Sequence, residues 1–194
     1  MVFANWNQAD AANFSCANYG CSGELLLATV SAGASKGASF NGPYDLGVVA
    51  TGPPAVACEH SNTFYECQVL FTGEGLDGSA NPHRNVSSFV FCLGGNGTPC
   101  GTTAVQDTGG WTDTPIGLTF NGPTLKGEFV GMVTEANPEG YLAFIEKPLV
   151  SDAWSSWQPL EWCLLGCFLD PMTHLGPTIK VREADENYDV IFAQ

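Results

Sequence analysis

The sequence predicts an all-β protein, a disulfide-linked antiparallel β-sandwich or barrel, from three observations. Residues 127–147, GEFVGMVTEANPEGYLAFIEK, set two runs rich in β-branched and aromatic residues around a polar segment holding Asn137-Pro138 and Gly140, which is the pattern of a β-hairpin. Both faces of that hairpin are largely apolar, so it needs cover on both sides. Residues 63–72, TFYECQVLFT, place Tyr65, Cys67, Val69 and Phe71 on one face and Phe64, Glu66, Gln68 and Leu70 on the other, the period of a half-buried strand. Eight cysteines, at 16, 21, 58, 67, 92, 100, 163 and 167, fall into four close pairs, and no repeated βα pattern accompanies them.

Taken in order, residues 1–22 are polar and read as an irregular arm tied by a local Cys16–Cys21 disulfide, ahead of a single β domain over 23–194. Residues 24–30, ELLLATV, read as a strand ending in the small-residue connection SAGASKGAS. Residues 40–50 carry an Asn-Gly-Pro turn followed by a strand, closed by Pro53-Pro54. A Gly/Asp/Asn/Pro loop over 73–85 leads to the strand VSSFVFCL and a Gly-rich turn between Cys92 and Cys100. Residues 101–117, with Trp111, form a long connection and the first candidate binding surface.

The motif F-N-G-P-x3-G occurs in 39–49 and again in 119–129, an internal echo in which each copy specifies a turn feeding a strand. Past the hairpin, Trp154, Trp157, Trp162 and Phe168 crowd together. The i, i+3 spacing of Trp154 and Trp157 suits one short helix over 151–157, stopped by Pro159. Two short strands near the C-terminus flank the acidic run EADENYD as a last hairpin.

With 194 residues and 44% hydrophobic composition the chain can bury a real core. Six basic residues against 20 acidic give a net charge of −14, which repels nucleic acid and anionic membrane alike, so neither is expected as a partner. The acceptors Asn13, Asn85 and Asn96 each begin an N-x-S/T glycosylation sequon. Together with the paired cysteines they point to a secreted, extracellular protein with neighbour disulfides Cys16–Cys21, Cys58–Cys67, Cys92–Cys100 and Cys163–Cys167. The first residues have neither a basic nor an apolar signal region, so a mature form with Met1 added or retained is expected. Zinc is disfavoured because no C-x2-C knuckle occurs and His60, His83 and His174 are scattered; no metal or cofactor is expected.

Four constellations could carry chemistry. Gly33-Ala34-Ser35-Lys36-Gly37 matches the G-x-S-x-G nucleophile elbow, but the following ASFNGP cannot propagate the helix that an elbow feeds. Glu128 and Glu146 lie on the two arms of the hairpin. In an even-sum register they share a face and could act as paired carboxylates on a glycosidic bond, whereas in an odd register Glu128 meets Lys147 in an ion pair. Trp111, Trp154 and Trp157 are the candidates for a ligand-stacking platform. The acidic run at 183–189 lacks the Ca²⁺-loop pattern and reads as a solvated turn.

Acidic, rich in Gly, Asn, Thr and Pro, with eight cysteines, sequons and no familiar catalytic signature, the whole chain resembles the small cysteine-rich secreted proteins of filamentous fungi. That resemblance implies a non-enzymatic effector- or allergen-like protein that binds a host or cell-surface protein or a cell-wall glycan. A glycan-cleaving hydrolase using Glu128 and Glu146 is the alternative, and a structural wall or matrix protein a third class.

Overall fold

In the computed structural model the described residues are 2–6, 15–17, 20–33, 37–60, 64–76, 82–95, 97–112, 114–122, 127–135, 141–159, 178–182 and 187–191. They form strands and connections, and no helix occurs among them. The strands are β1 (Val2–Trp6), β2 (Ser15–Ala17), β3 (Gly20–Gly33), β4 (Gly37–Ala50), β5 (Ala55–His60), β6 (Phe64–Leu76), β7 (Pro82–Gly94), β8 (Pro99–Thr102), β9 (Gln106–Trp111), β10 (Gly117–Asn121), β11 (Glu128–Glu135), β12 (Tyr141–Pro148), β13 (Gln158–Pro159), β14 (Thr178–Arg182) and β15 (Asn187–Ile191).

The middle layer is the sheet β5-β6-β7-β8, with β9 also on β7. Its alternation sends odd-numbered β6 and β7 residues to one side. Cys67, Val69, Phe71, Phe89, Phe91 and Leu93 pack there against Leu25 and Leu27 of β3 and Leu46 and Val48 of β4, forming the largest apolar cluster. Even-numbered Leu70 and Val86 face the other way and pack on Val133 and Ala143 of the sheet β10-β11-β12-β13. That sheet buries its second face too: Val130, Met132 and Leu142 lie under Ile179 and Tyr188 of the β14–β15 hairpin. The result is stacked antiparallel sheets, a sandwich in which no sheet among the described residues closes into a barrel. Each fully buried Phe or Leu in these seams contributes about 1.5–3 kcal/mol, and Phe89 and Phe91 are almost completely sequestered.

Several expectations change in detail. Within the polar start of the chain, β1 pairs along β3 from Val2↔Thr29 to Trp6↔Leu25 and β2 sets Cys16 opposite Cys21, while residues 7–14 and 18–19 lie outside the described residues. Residues 151–157 are not a helix. The Ser151 hydroxyl accepts from the Ala153 amide, the Ser155 amide donates to the Glu146 carbonyl, and the Glu146 amide donates to the Ser155 hydroxyl. Serine side chains thus give the backbone a local alternative to helical bonding, and Ser155 ties the segment to Glu146 of β12. The two F-N-G-P copies also diverge. Phe40 to Pro43 sit inside β4, where the register to β3 shifts between Leu27 and Thr29, whereas Phe120 and Asn121 end β10. Gly42 has φ +108, and a Cβ there would lie 2.7 Å from the Leu27 carbonyl oxygen, so only glycine fits the bulge.

Cys58–Cys67 links directly opposed residues of β5 and β6, and Cys92–Cys100 ties β7 to β8. The predicted Cys163–Cys167 pair, Trp162 and His174 lie outside the described residues, as do the side chains of Cys16 and Cys21. Two disulfides among the described residues of a layered β-protein fit an oxidising, extracellular-type environment. No helix among the described residues is long and apolar enough to cross a membrane.

Candidate functional site

The register decides what the hairpin carboxylates can do. β11 and β12 pair Glu128 with Pro148, Phe129 with Lys147 and Val130 with Glu146, an even-sum register. Glu128 and Glu146 therefore share a face as diagonal neighbours, and the odd-register alternative, a Glu128–Lys147 pair, is overturned because Lys147 points to the opposite face. Diagonal positions of this kind have Cα atoms about 7–8 Å apart.

On the same face Asn121 of β10 stands directly opposite Glu128. Tyr188 of β15 closes over the group: its hydroxyl donates to Glu128 Oε1 at 2.7 Å and accepts from Asn121 Nδ2 at 3.0 Å. Asn121 is fully buried, and its Oδ1 has no hydrogen-bond partner. Burial pushes the Tyr188 phenol above the ordinary tyrosine range. The Glu128 and Glu146 charges add to the rise and the Asn121 hydrogen bond opposes it. The phenol is thus a proton donor locked onto a carboxylate, which pins the β14–β15 hairpin to the sheet beneath it.

Lys147 crosses the seam on the other face. Its Nζ donates to Gln68 Oε1 at 3.0 Å, and Gln68 Nε2 donates to the Phe89 carbonyl at 3.0 Å. Burial holds this ammonium below the ordinary lysine range, offset in part by Glu66 and then Asp152. Glu66 itself stands opposite Glu59 on β5, so the lysine charge also relieves a like-charge pair.

The tryptophans divide. Trp154 Nε1 donates to Ser88 Oγ at 2.9 Å and Trp157 Nε1 to Thr108 Oγ1 at 3.2 Å, and both rings pack on the seam between the two sheets. A Cβ on Gly110 would overlap the Trp157 indole, so that glycine makes room for the ring. Both tryptophans act as packing and positioning groups, half-buried with satisfied N–H donors. Trp111, on β9 opposite Asn85, is half-buried outside these clusters.

The long connection expected over 101–117 is largely built structure: the end of β8, a three-residue link, and β9. Every residue of 100–107 is exposed, with Val105 at 48%. This ledge is nevertheless anchored. Cys100 is bound to Cys92, the Thr103 amide donates to the Val90 carbonyl, and the Val90 amide donates to Thr103 Oγ1.

The G-A-S-K-G segment joins β3 to β4, with Gly33 paired to Gly37, so a hairpin replaces the strand-to-helix elbow; Ser35 itself lies outside the described residues. Sequence reasoning missed Asn121, Tyr188 and Gln68. Asn121 was absorbed into a turn motif, Tyr188 into a terminal strand and Gln68 into an apparent polar position of a half-buried strand. Comparison with protein-family models, curated proteins and solved structures gave no match to this chain.

Proposed function

We propose that the chain is a secreted, disulfide-linked binding protein that engages a cell-wall glycan or a host cell-surface protein without catalysing a reaction, in the manner of the small cysteine-rich secreted proteins of filamentous fungi. The observation that carries this reading is the exposed ledge at 100–107, held to β7 by a disulfide and by Thr103. Short Thr, Ala and Val side chains on a backbone anchored to β7 lose little conformational freedom on binding, so such a surface is preorganised for a partner. Threonine hydroxyls and the Gln106 amide suit sugar hydroxyls or peptide groups, and Val105 supplies an apolar contact. The net charge of −14 argues against polyanionic partners.

The test is retention of the full chain on insoluble cell-wall polysaccharide and on intact cells. The exposed double variant Val105→Asp, Gln106→Ala is expected to lose about tenfold or more in affinity, ~1.4 kcal/mol, at an unchanged melting temperature. Retention equal to the parent protein would remove the ledge from the account.

A second reading, glycan hydrolysis, draws support from the shared face of Glu128 and Glu146, since inverting enzymes separate their carboxyl groups by roughly 6.5–9.5 Å. Against it stands the bond from the Tyr188 hydroxyl to Glu128. Hydrolysis of a polysaccharide panel that is abolished by Glu128→Gln, in a protein that still folds, would favour the enzyme.

A further inference from the structure

We propose that Asn85 carries an N-linked glycan whose innermost N-acetylglucosamine stacks on the Trp111 indole. The site is defined by one cross-strand row. Asn85 on β7 is paired with Gly73 on β6 to one side and with Trp111 on β9 to the other. Directly opposed residues of antiparallel strands project from the same face with Cβ atoms about 4.5–5.5 Å apart. The amide nitrogen of Asn85 therefore emerges beside the Trp111 ring.

On the far side there is room. Gly73 has no side chain, and among the described residues a Cβ added there would meet only the Phe71 ring, at 3.9 Å. The row lies one step beyond Phe71, the last β6 residue of the first apolar cluster, so a sugar at this place need not enter the core. The remainder of the sequon is fixed to match: Val86 is fully buried on the opposite face, while Ser87 shares the face of Asn85 and is half-buried. A pyranose ring offers a face of C–H groups that an indole covers well, and an aromatic side chain is well suited to such contact.

The chemistry balances without help from this protein's own residues. A polyprenyl-pyrophosphate-linked oligosaccharide is the donor. The Asn85 amide nitrogen loses a proton and bonds to the anomeric carbon, and the lipid pyrophosphate leaves with the electron pair of the broken C–O bond. Transfer of this kind acts on the chain before it folds, so the folded geometry matters by accommodating the product. The inference rests on the secreted reading of the chain, and the experiment separates the two.

The full chain is produced in a eukaryotic host behind a supplied signal peptide, so that passage through the secretory pathway does not depend on how the natural protein travels. Glycopeptide mass spectrometry then reads occupancy at Asn85, and an endoglycosidase trims the glycan to a single N-acetylglucosamine. Occupied Asn85 is expected, together with a melting temperature about 2–4 °C above that of Asn85→Gln. That increment should vanish when both proteins also carry Trp111→Leu. Asn85 unmodified in the secreted chain would overturn the proposal, and so would an increment that is absent or that survives loss of the Trp111 ring. Native secretion is tested separately by locating the natural protein in its culture fluid.

Discussion

At the scale of single residues, a half-buried tyrosine and a buried lysine each yield a prediction. The Tyr188 hydroxyl bonds Glu128 Oε1 and Asn121 Nδ2 at once. Tyr188→Phe is expected to cost about 1–3 kcal/mol, because both partners lose a hydrogen bond while remaining partly or fully buried; chemical denaturation measures it. The pH dependence of this group and of Lys147 runs in opposite directions. Tyr188 keeps its proton in the folded chain above the ordinary tyrosine range, so its contribution is complete below that range and is lost as pH rises through the raised folded value. Lys147 releases its proton early in the folded chain. Its burial cost is therefore fully felt below the lowered value, and stability from this group recovers as pH climbs towards the ordinary lysine range. Melting curves between about pH 8 and 11 should show Tyr188→Phe removing an alkaline loss of stability and Lys147→Met removing an alkaline gain. The carboxylates Glu128 and Glu146 were legible in the sequence as a pair, but Tyr188 was not, because 60 residues separate it from Glu128 and no local pattern marks that contact.

At the scale of elements, periodicity revealed strands and hid their neighbours. The β11–β12 hairpin and the alternation of β6 are plain in the sequence because β-branched and aromatic residues recur at period two. β5, β8 and β9 were missed, since Pro53-Pro54 and the Gly/Thr-rich 98–110 look like loops until a neighbouring strand supplies their hydrogen bonds. β9 depends on close packing: Gly110 leaves the space that the Trp157 indole fills, and Trp157 in turn bonds Thr108 of the same strand. Gly110→Ala is expected to displace that ring and cost about 1–3 kcal/mol, with loss of the tryptophan near-ultraviolet circular dichroism contributed by the seam. An unchanged spectrum and unchanged stability would mean that Trp157 does not lock β9.

At the scale of the whole molecule, sheet stacking was predictable but its order was not. An apolar pattern on both faces of β11–β12 announces cover on both sides, yet only long-range packing shows that one cover is the β6–β7 layer and the other the C-terminal hairpin. The two disulfides among the described residues have different places in this stack. Cys58–Cys67 joins strands within the middle sheet, with Cys67 in its buried core, whereas Cys92–Cys100 holds the exposed ledge. Closing loops of 9 and 8 residues, each should contribute about 2–3 kcal/mol. The decisive measurement is therefore retention on wall polysaccharide and intact cells for two disulfide-deleted proteins, Cys58→Ala with Cys67→Ala and Cys92→Ala with Cys100→Ala, at a temperature where both remain folded. Both are expected to melt earlier, but only loss of Cys92–Cys100 weakens retention, because of the two disulfides only that one fixes the ledge. Equal retention by the two proteins, or loss confined to the Cys58–Cys67 deletion, would contradict this expectation.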